Sequence, residues 1–369
     1  MTLYRRLPFC WNPRSRPEQG RIMLAIRQTP FTRGRRVLPF VLALVAVVLA
    51  PVPAAQAAAI PTTRAYVTNL SFRTLSVIDT TTDTVSATIP VGVYPVSVAV
   101  NRAGTRAYVA NGLSDTVSVI DTAANAVSAT IPAGPSPWSV AVNPAGTRVY
   151  VVNSGSDTVS VIDTSTNTIR GTVHVGANPV SAAVNPTGTR VYVANSGSNT
   201  VSVIDTSTNT IRATIPVGST PLSVAVNPAG TRAYTADSGS VTVSVIDTAT
   251  NTVGATVTGF TAYPYQLGIS PSGATIYVTH AGASGDLSVI DTATNTITAT
   301  VTTGFFYSAG VAVDSTGTLA YVGGNSDFGV AVIDTATNKV TTTIPGVPGA
   351  FGIALNGRRH ARSPDSSRR

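Results

Sequence analysis

The sequence predicts an all-β fold: seven copies of one four-stranded antiparallel unit, closed into a ring. Three observations predict it. A fixed repeat fills the chain after about position 60, each repeat contains only strand and turn signals, and the two ends of the array are out of phase in a complementary way. A Tyr in a recurring word, most often Ala/Val-Tyr-Val-x-Asn, stands at Tyr66, Tyr108, Tyr150, Tyr192, Tyr234, Tyr277 and Tyr321, spaced by 42, 42, 42, 42, 43 and 44 residues. A second word, Ser-Val-Ile-Asp, runs in step and ends at Asp79, Asp121, Asp163, Asp205, Asp247, Asp291 and Asp334, the last copy reading Ala-Val-Ile-Asp. Self-similarity at this period is the signature of an array or a ring of repeated sheets.

Each element of the repeat is justified by its residues. In the copy around 96–131, Val96-Ser-Val-Ala-Val100 alternates and is β-branched, Asn101 to Arg106 is a turn, and Ala107 to Asn111 is a second strand. The loop Gly112-Leu-Ser-Asp115 leads to a third strand, Thr116 to Ile120. A turn at Asp121 to Asn125 leads to a fourth, Ala126 to Ile131, which stops at Pro132. Short runs of Val, Ile and Thr divided by Gly, Asn, Asp and Pro make an antiparallel meander, and no segment has helical periodicity. The first strand carries small residues (Ser97 and Ala99, Ser139 and Ala141, Ser223 and Ala225), which suits the crowded centre of a ring. The fourth is Thr-rich and ends in Pro at Pro90, Pro132, Pro216 and Pro345, which solvates an outer edge and blunts its pairing with other chains.

Phase predicts closure. The repeats begin with a second strand and end with a first strand, Phe351-Gly-Ile-Ala-Leu355, followed by Asn356. The last strand completes the first sheet only if the ends meet. An open stack would leave incomplete sheets and no capping repeat at either end. The expectation is a seven-bladed β-propeller whose C-terminal inner strand completes the N-terminal blade.

The words Ala-Tyr-Val-Thr-Asn69, Val-Ile-Asp-Thr, Asn-Pro-Ala-Gly-Thr-Arg and Thr-Ile-Pro-Val-Gly resemble the YVTN family of β-propeller repeats over about 64–356. Two blades depart from its pattern: His280 replaces the terminal Asn, and 323–325 reads Gly-Gly-Asn. The resemblance implies an exported, surface-layer-like propeller and no single activity.

The expected domain organisation is a leader at 1–58, the propeller at 59–356 and a basic disordered tail at 357–369. Arg33 to Arg36 precede an uncharged run and the Ala-rich stretch 54–57, the order of a secretory signal cleaved after Ala57, with Met23 an alternative start. Arg35-Arg36 leaves twin-arginine export open beside the general route. Val37 to Ile60 is long enough to span a bilayer, so a retained anchor at 37–60 is the alternative. The formal charge of +8 misleads, because the leader and the tail hold 14 of the 24 basic residues and leave 59–356 mildly acidic. That balance disfavours nucleic acid as a partner. The tail is either a solvated end or a contact for an anionic wall or membrane surface. Cys10 is the only cysteine and lies in the leader, which excludes disulfides and thiolate chemistry from the mature protein.

The seven repeated Asp read as turn formers rather than metal carboxylates, since they have no clustered partners. Chemistry is expected on the other face, where the second-to-third-strand loops and the crossovers open together. Eleven aromatics outside the repeat word fall there: Phe72, Phe328, Tyr94, Trp138, Phe260, Tyr263, Tyr265, Phe305, Phe306, Tyr307 and Phe351. With Arg73, Asp115, His280, Asp286 and Asp327 nearby, this arc suits a carbohydrate, a peptide or a partner protein. Alternatively the rings plug the channel and pack between blades. The candidate ligand face is Tyr94, Trp138, Tyr263, Tyr265, His280, Phe305, Phe306, Tyr307 and Phe351. No metal, no cofactor and no catalytic residue is expected. Related propeller hydrolases and lyases rely on acidic metal ligands or a His/Glu pair, and the chain outside the leader contains no Glu. The reading is an exported or cell-surface, monomeric, non-catalytic binding scaffold. The alternatives are a small-molecule hydrolase or lyase at His280, or an accessory subunit of a redox enzyme.

Overall fold

A computed structural model of the protein describes residues 63–282, 285–325 and 329–356. The expected leader at 1–58, the anchor alternative at 37–60, the basic tail at 357–369, and Asp327 and Phe328 lie outside the described residues.

Among the described residues, 28 strands form seven four-stranded antiparallel sheets, the blades of a propeller. The first blade is ordered Ala350–Asn356, Arg64–Asn69, Thr74–Asp79, Thr84–Pro90, so the C-terminal strand is the inner strand of the N-terminal sheet. Arg64 lies opposite Asn356 and Asn69 opposite Ala350. The Arg64 N–H donates to Asn356 Oδ1 at 2.8 Å, and the Gly352 N–H donates to Thr68 Oγ1 at 2.8 Å. The other six blades are continuous in sequence, for example Pro95–Val100, Arg106–Asn111, Thr116–Asp121 and Ala126–Pro132.

The core lies between blades rather than within them. Tyr66, Leu75, Val77 and Ile89 of the first blade meet Val98, Ala107, Val109 and Ile120 of the second. Equivalent clusters fill all seven junctions, including the one that joins the seventh blade to the first. Each sheet is apolar on both faces along its middle strands, so burial is continuous there, whereas the fourth strand alternates. In every blade the third and fourth strands slip register at the Ile of Val-Ile-Asp, which is a β-bulge. In four blades the bulged hydroxyl residue donates to the exposed carbonyl, as Ser86 does to Val77 O at 3.0 Å. Bulges raise the local twist that blade packing needs.

Arginine latches add a second link between blades. The guanidinium of Arg64 donates to Thr122 O of the next blade at 2.8 Å. Arg106, Arg148, Arg190 and Arg232 repeat the contact with Thr164, Thr206, Thr248 and Thr292. Thr275 and Leu319 stand at this position in the sixth and seventh blades, so no arginine latch joins the sixth blade to the seventh or the seventh to the first.

Candidate functional site

The two ends of the channel differ in what their loops do. On one face the Val-Ile-Asp carboxylates cap their own turns. Asp79 Oδ1 accepts from the Thr81 N–H at 2.8 Å, and Asp121 Oδ1 accepts from the Ala123 and Ala124 N–H groups at 2.9 Å. Asp163, Asp205, Asp247, Asp291 and Asp334 do the same. These hydrogen bonds hold the carboxyls of Asp79, Asp163, Asp205, Asp247, Asp291 and Asp334 below the usual range. Carboxylates committed in this way are turn formers.

The opposite face is built from the loops between second and third strands together with the crossovers, and hydrogen bonds tie the two sets together. The Gly112 N–H donates to Tyr94 O at 2.8 Å and the Leu113 N–H to Val93 O at 3.1 Å. The Ser136 N–H donates to Asp115 Oδ1 at 2.8 Å, so the carboxylate of Asp115 serves the scaffold. Tyr94 itself has φ of 59°, a left-handed conformation costly for an aromatic residue, which Ser136, Asn178 and Thr220 share at the equivalent crossover position.

The structure divides the aromatic arc in two. Tyr94, Trp138, Tyr265 and Tyr307, all half-buried, gather over a buried base of Leu70, Val96, Ala309 and Phe351. Ring centroids lie 6.4 Å apart for Tyr94 and Trp138, 5.5 Å for Tyr265 and Tyr307, and 6.0 Å for Tyr265 and Phe351. The last two pairs are edge-to-face, the arrangement the ring quadrupoles favour. Burial pushes the Tyr265 phenol well above its ordinary value, helped by Tyr307, to which it is hydrogen-bonded. This group is a plug with an exposed upper surface. Around it Tyr263 (57% exposed) and Phe306 (61%) project into solvent, as does Leu113 at 68%. Leu113 is an aliphatic residue that a search for aromatics passes over; its signal was a Leu in a loop that reads Ser-Gly-Ser in the next two blades. Phe305 and Phe351 are buried and offer no area on this outer face.

His280 is also inside the protein. It is fully buried, its Nε2 lies 2.9 Å from Ser288 Oγ, and its ring meets Phe260 edge-on at 5.9 Å. The position explains itself by comparison with the other blades. Asn69 Nδ2 donates to Thr74 Oγ1 at 2.8 Å and Ser76 Oγ at 2.9 Å. Asn111, Asn153 and Asn195 repeat the pair. His280 takes that same seat and bonds the equivalent serine. Burial lowers its basicity, with Asp286 opposing weakly. In the fifth blade the seat belongs to Asp237, which sequence reasoning passed over although the word there ends in Asp instead of Asn. Asp237 is fully buried, and its Oδ2 accepts from Ser244 Oγ at 2.6 Å and from the Ser244 N–H at 3.1 Å. Its Oδ1 has no hydrogen-bond partner, and burial raises its carboxyl to about 6.

Beneath the plug, the channel holds a cavity of about 180 Å³ lined by the inner strands, with Ser97, Ser139, Ser181, Ser223 and Gln266 as its polar side chains. The seventh and first blades have Gly310 and Gly352 at this level, where a Cβ would sit 2.2 Å from Phe351 O and 2.7 Å from Val96 O respectively. Neighbouring inner strands approach too closely there for any side chain.

The chain matches the family described as YNCE-like beta-propeller over residues 175–350, and the family described as Lactonase, 7-bladed beta-propeller over residues 73–226. A search of curated proteins finds no match. Among solved structures it resembles the hydrazine synthase of Kuenenia stuttgartiensis, with 22% identity over 70% of this chain and 88% of that one, at a TM-score of 0.64. It also resembles a functionally unknown protein from Desulfotomaculum acetoxidans DSM 771, with 19% identity over 80% of this chain and 99% of that one, at a TM-score of 0.71. At these identities the structural likeness establishes the fold alone.

Proposed function

We propose that this β-propeller is an exported, non-catalytic binding scaffold of the YVTN type, and that it engages a carbohydrate, peptide or partner protein on its aromatic face. One observation carries the reading: rigid rings from four blades converge on one channel mouth and keep part of their surface in water. An evolved core would bury them, and the turn face of the same ring has no counterpart. Tyr and Trp give large contact area at low entropic cost, which is why they dominate binding hot spots. The contact set is Tyr94, Trp138, Tyr263, Tyr265, Phe306 and Tyr307. Phe305 and Phe351 support it from below.

A second reading, a small-molecule hydrolase or lyase, draws on the lactonase-family match over 73–226. Against it, His280, the residue the sequence offers as a base, is buried in a seat held elsewhere by asparagine, and a general base must reach its substrate. The accessory-subunit reading rests on a likeness of fold.

The test is a carbohydrate and peptide array probed with the mature protein and with Tyr263→Ala and Phe306→Ala. Both side chains are exposed, so the variants should melt with the wild type while losing retention on whatever the wild type binds. Retention unchanged in both variants, or no retention of any array member by the wild type, refutes the reading.

A further inference from the structure

The channel beneath the plug has a chemistry of its own. Each of its four serines accepts a hydrogen bond from an inner-strand amide of the next blade. Val140 N–H donates to Ser97 Oγ at 3.3 Å, Ala182 N–H to Ser139 Oγ at 3.3 Å, Val224 N–H to Ser181 Oγ at 3.1 Å, and Leu267 N–H to Ser223 Oγ at 3.2 Å. An inner strand has no partner on its channel side, and this ladder satisfies its amides. Each hydroxyl, having accepted, still holds a proton to donate, and none of the four has an acceptor among the described residues. Ser139 and Ser223 are 8% and 4% exposed, and Ser97 and Ser181 are half-buried along the channel. In the sixth blade the side-chain amide of Gln266 adds two donors and an acceptor at the same level, and it makes no hydrogen bond among the described residues.

We infer that this cavity is a binding site for a small uncharged polyhydroxylated molecule of monosaccharide size or less. Three features select the class. No charged side chain lines the cavity, so a carboxylate, phosphate or ammonium group would leave water without a counter-charge. The polar groups form an arc on five consecutive blades, four hydroxyl donors ending in an amide that both donates and accepts. An arc of this kind matches a ligand carrying several hydroxyls on one edge. Trp138 and Phe351 close the upper end and Val98, Val140, Val224, Leu267 and Ile353 lie among the donors, which gives the C–H faces of such a ligand an apolar wall. The volume corresponds to about six waters at roughly 30 Å³ each, enough for a sugar ring that displaces them. The site goes beyond the aromatic face proposed above, because it stands on residues that face does not use, apart from Trp138 and Phe351.

The experiment is saturation-transfer NMR on the mature protein with glycerol, glucose, galactose, mannose and N-acetylglucosamine as probes. Acetate and sulfate serve as charged competitors. Trp138 is the only tryptophan outside the leader and borders both sites, so a change in its emission that persists in Tyr263→Ala and Phe306→Ala reports the channel. At least one neutral probe should bind, acetate and sulfate should not displace it, and Gln266→Leu should weaken it about tenfold, the effect of one lost hydrogen bond. Gln266→Leu removes no internal side-chain hydrogen bond and should fold as the wild type does. Ser139→Ala is the second variant and should weaken binding to a similar extent. No transfer to any of the five probes, displacement by acetate or sulfate, or unaltered affinity in Gln266→Leu would overturn the inference. Tyr263→Ala and Phe306→Ala should leave this signal intact, so the channel and the aromatic face fail or stand separately.

Discussion

Replacing Asp237 by Asn should stabilise the protein at neutral pH and do nothing for it in acid. In four blades the equivalent seat holds an Asn that donates to a Thr and a Ser hydroxyl on the third strand. Asp237 is instead buried among neutral groups, Ser244, Thr235 and the Gly218 amide, with one carboxylate oxygen unpartnered. Desolvation lifts its carboxyl from 3.8 to about 6. A folded-state value above the unfolded one means the protonated form is favoured by folding. Its contribution is complete below pH 3.8, fades as pH rises through 6, and is gone above. The gap corresponds to about 2–3 kcal/mol of lost stability at pH 7.5, at ~1.4 kcal/mol per pH decade. Asn carries no charge and can donate to Thr242 and Ser244. Asp237→Asn should therefore melt several degrees above the wild type at pH 7.5, at roughly 2–4 °C per kcal/mol for a domain of this class. The assay is a pair of thermal melts at pH 4 and pH 7.5. Subtracting wild type from variant removes the shared titration of the turn aspartates. A variant no more stable than the wild type at pH 7.5, or equally stabilised at pH 4, would refute the burial argument.

Two further outcomes follow from the ring. Removing 350–369 takes away the inner strand of the first blade and leaves Arg64–Asn69 with an unpaired edge, so the melting temperature should fall by about 10 °C or more or folding should fail; an unchanged melt would show that closure contributes nothing. His280→Asn should restore the seat used by Asn69 and its equivalents, so thermal stability should hold within about 1 kcal/mol and binding on the aromatic face should be unaffected; a large loss in either would assign His280 a role beyond packing.

Much of the architecture is legible in the chain because each repeat states the same local rule seven times. The alternation of Val and Ser, the Gly-Thr-Arg and Asp-Thr turns, and the Pro that ends the outer strand agree with one another, and self-consistent local signals specify a blade. Closure was legible for a different reason: a final inner strand such as Phe351 to Leu355 has no partner except the first sheet. Burial of individual departures was not legible. His280 reads as a catalytic candidate in sequence, whereas its neighbours in space make it a stand-in for Asn. Asp237 reads as an ordinary loop acid and is sealed inside the fifth blade.

The sequence by itself determined the unit, the number of units and the face on which variation concentrates, because strand periodicity and turn chemistry act over a few residues. Tertiary structure alone decided which aromatics remain in water, which polar groups are sealed, and that the four channel serines hold protons with no acceptor among the described residues. Those outcomes depend on contacts between blades some 42 residues or more apart, as when Ser97 meets Val140 and Tyr265 meets Phe351, and no local pattern encodes such distances.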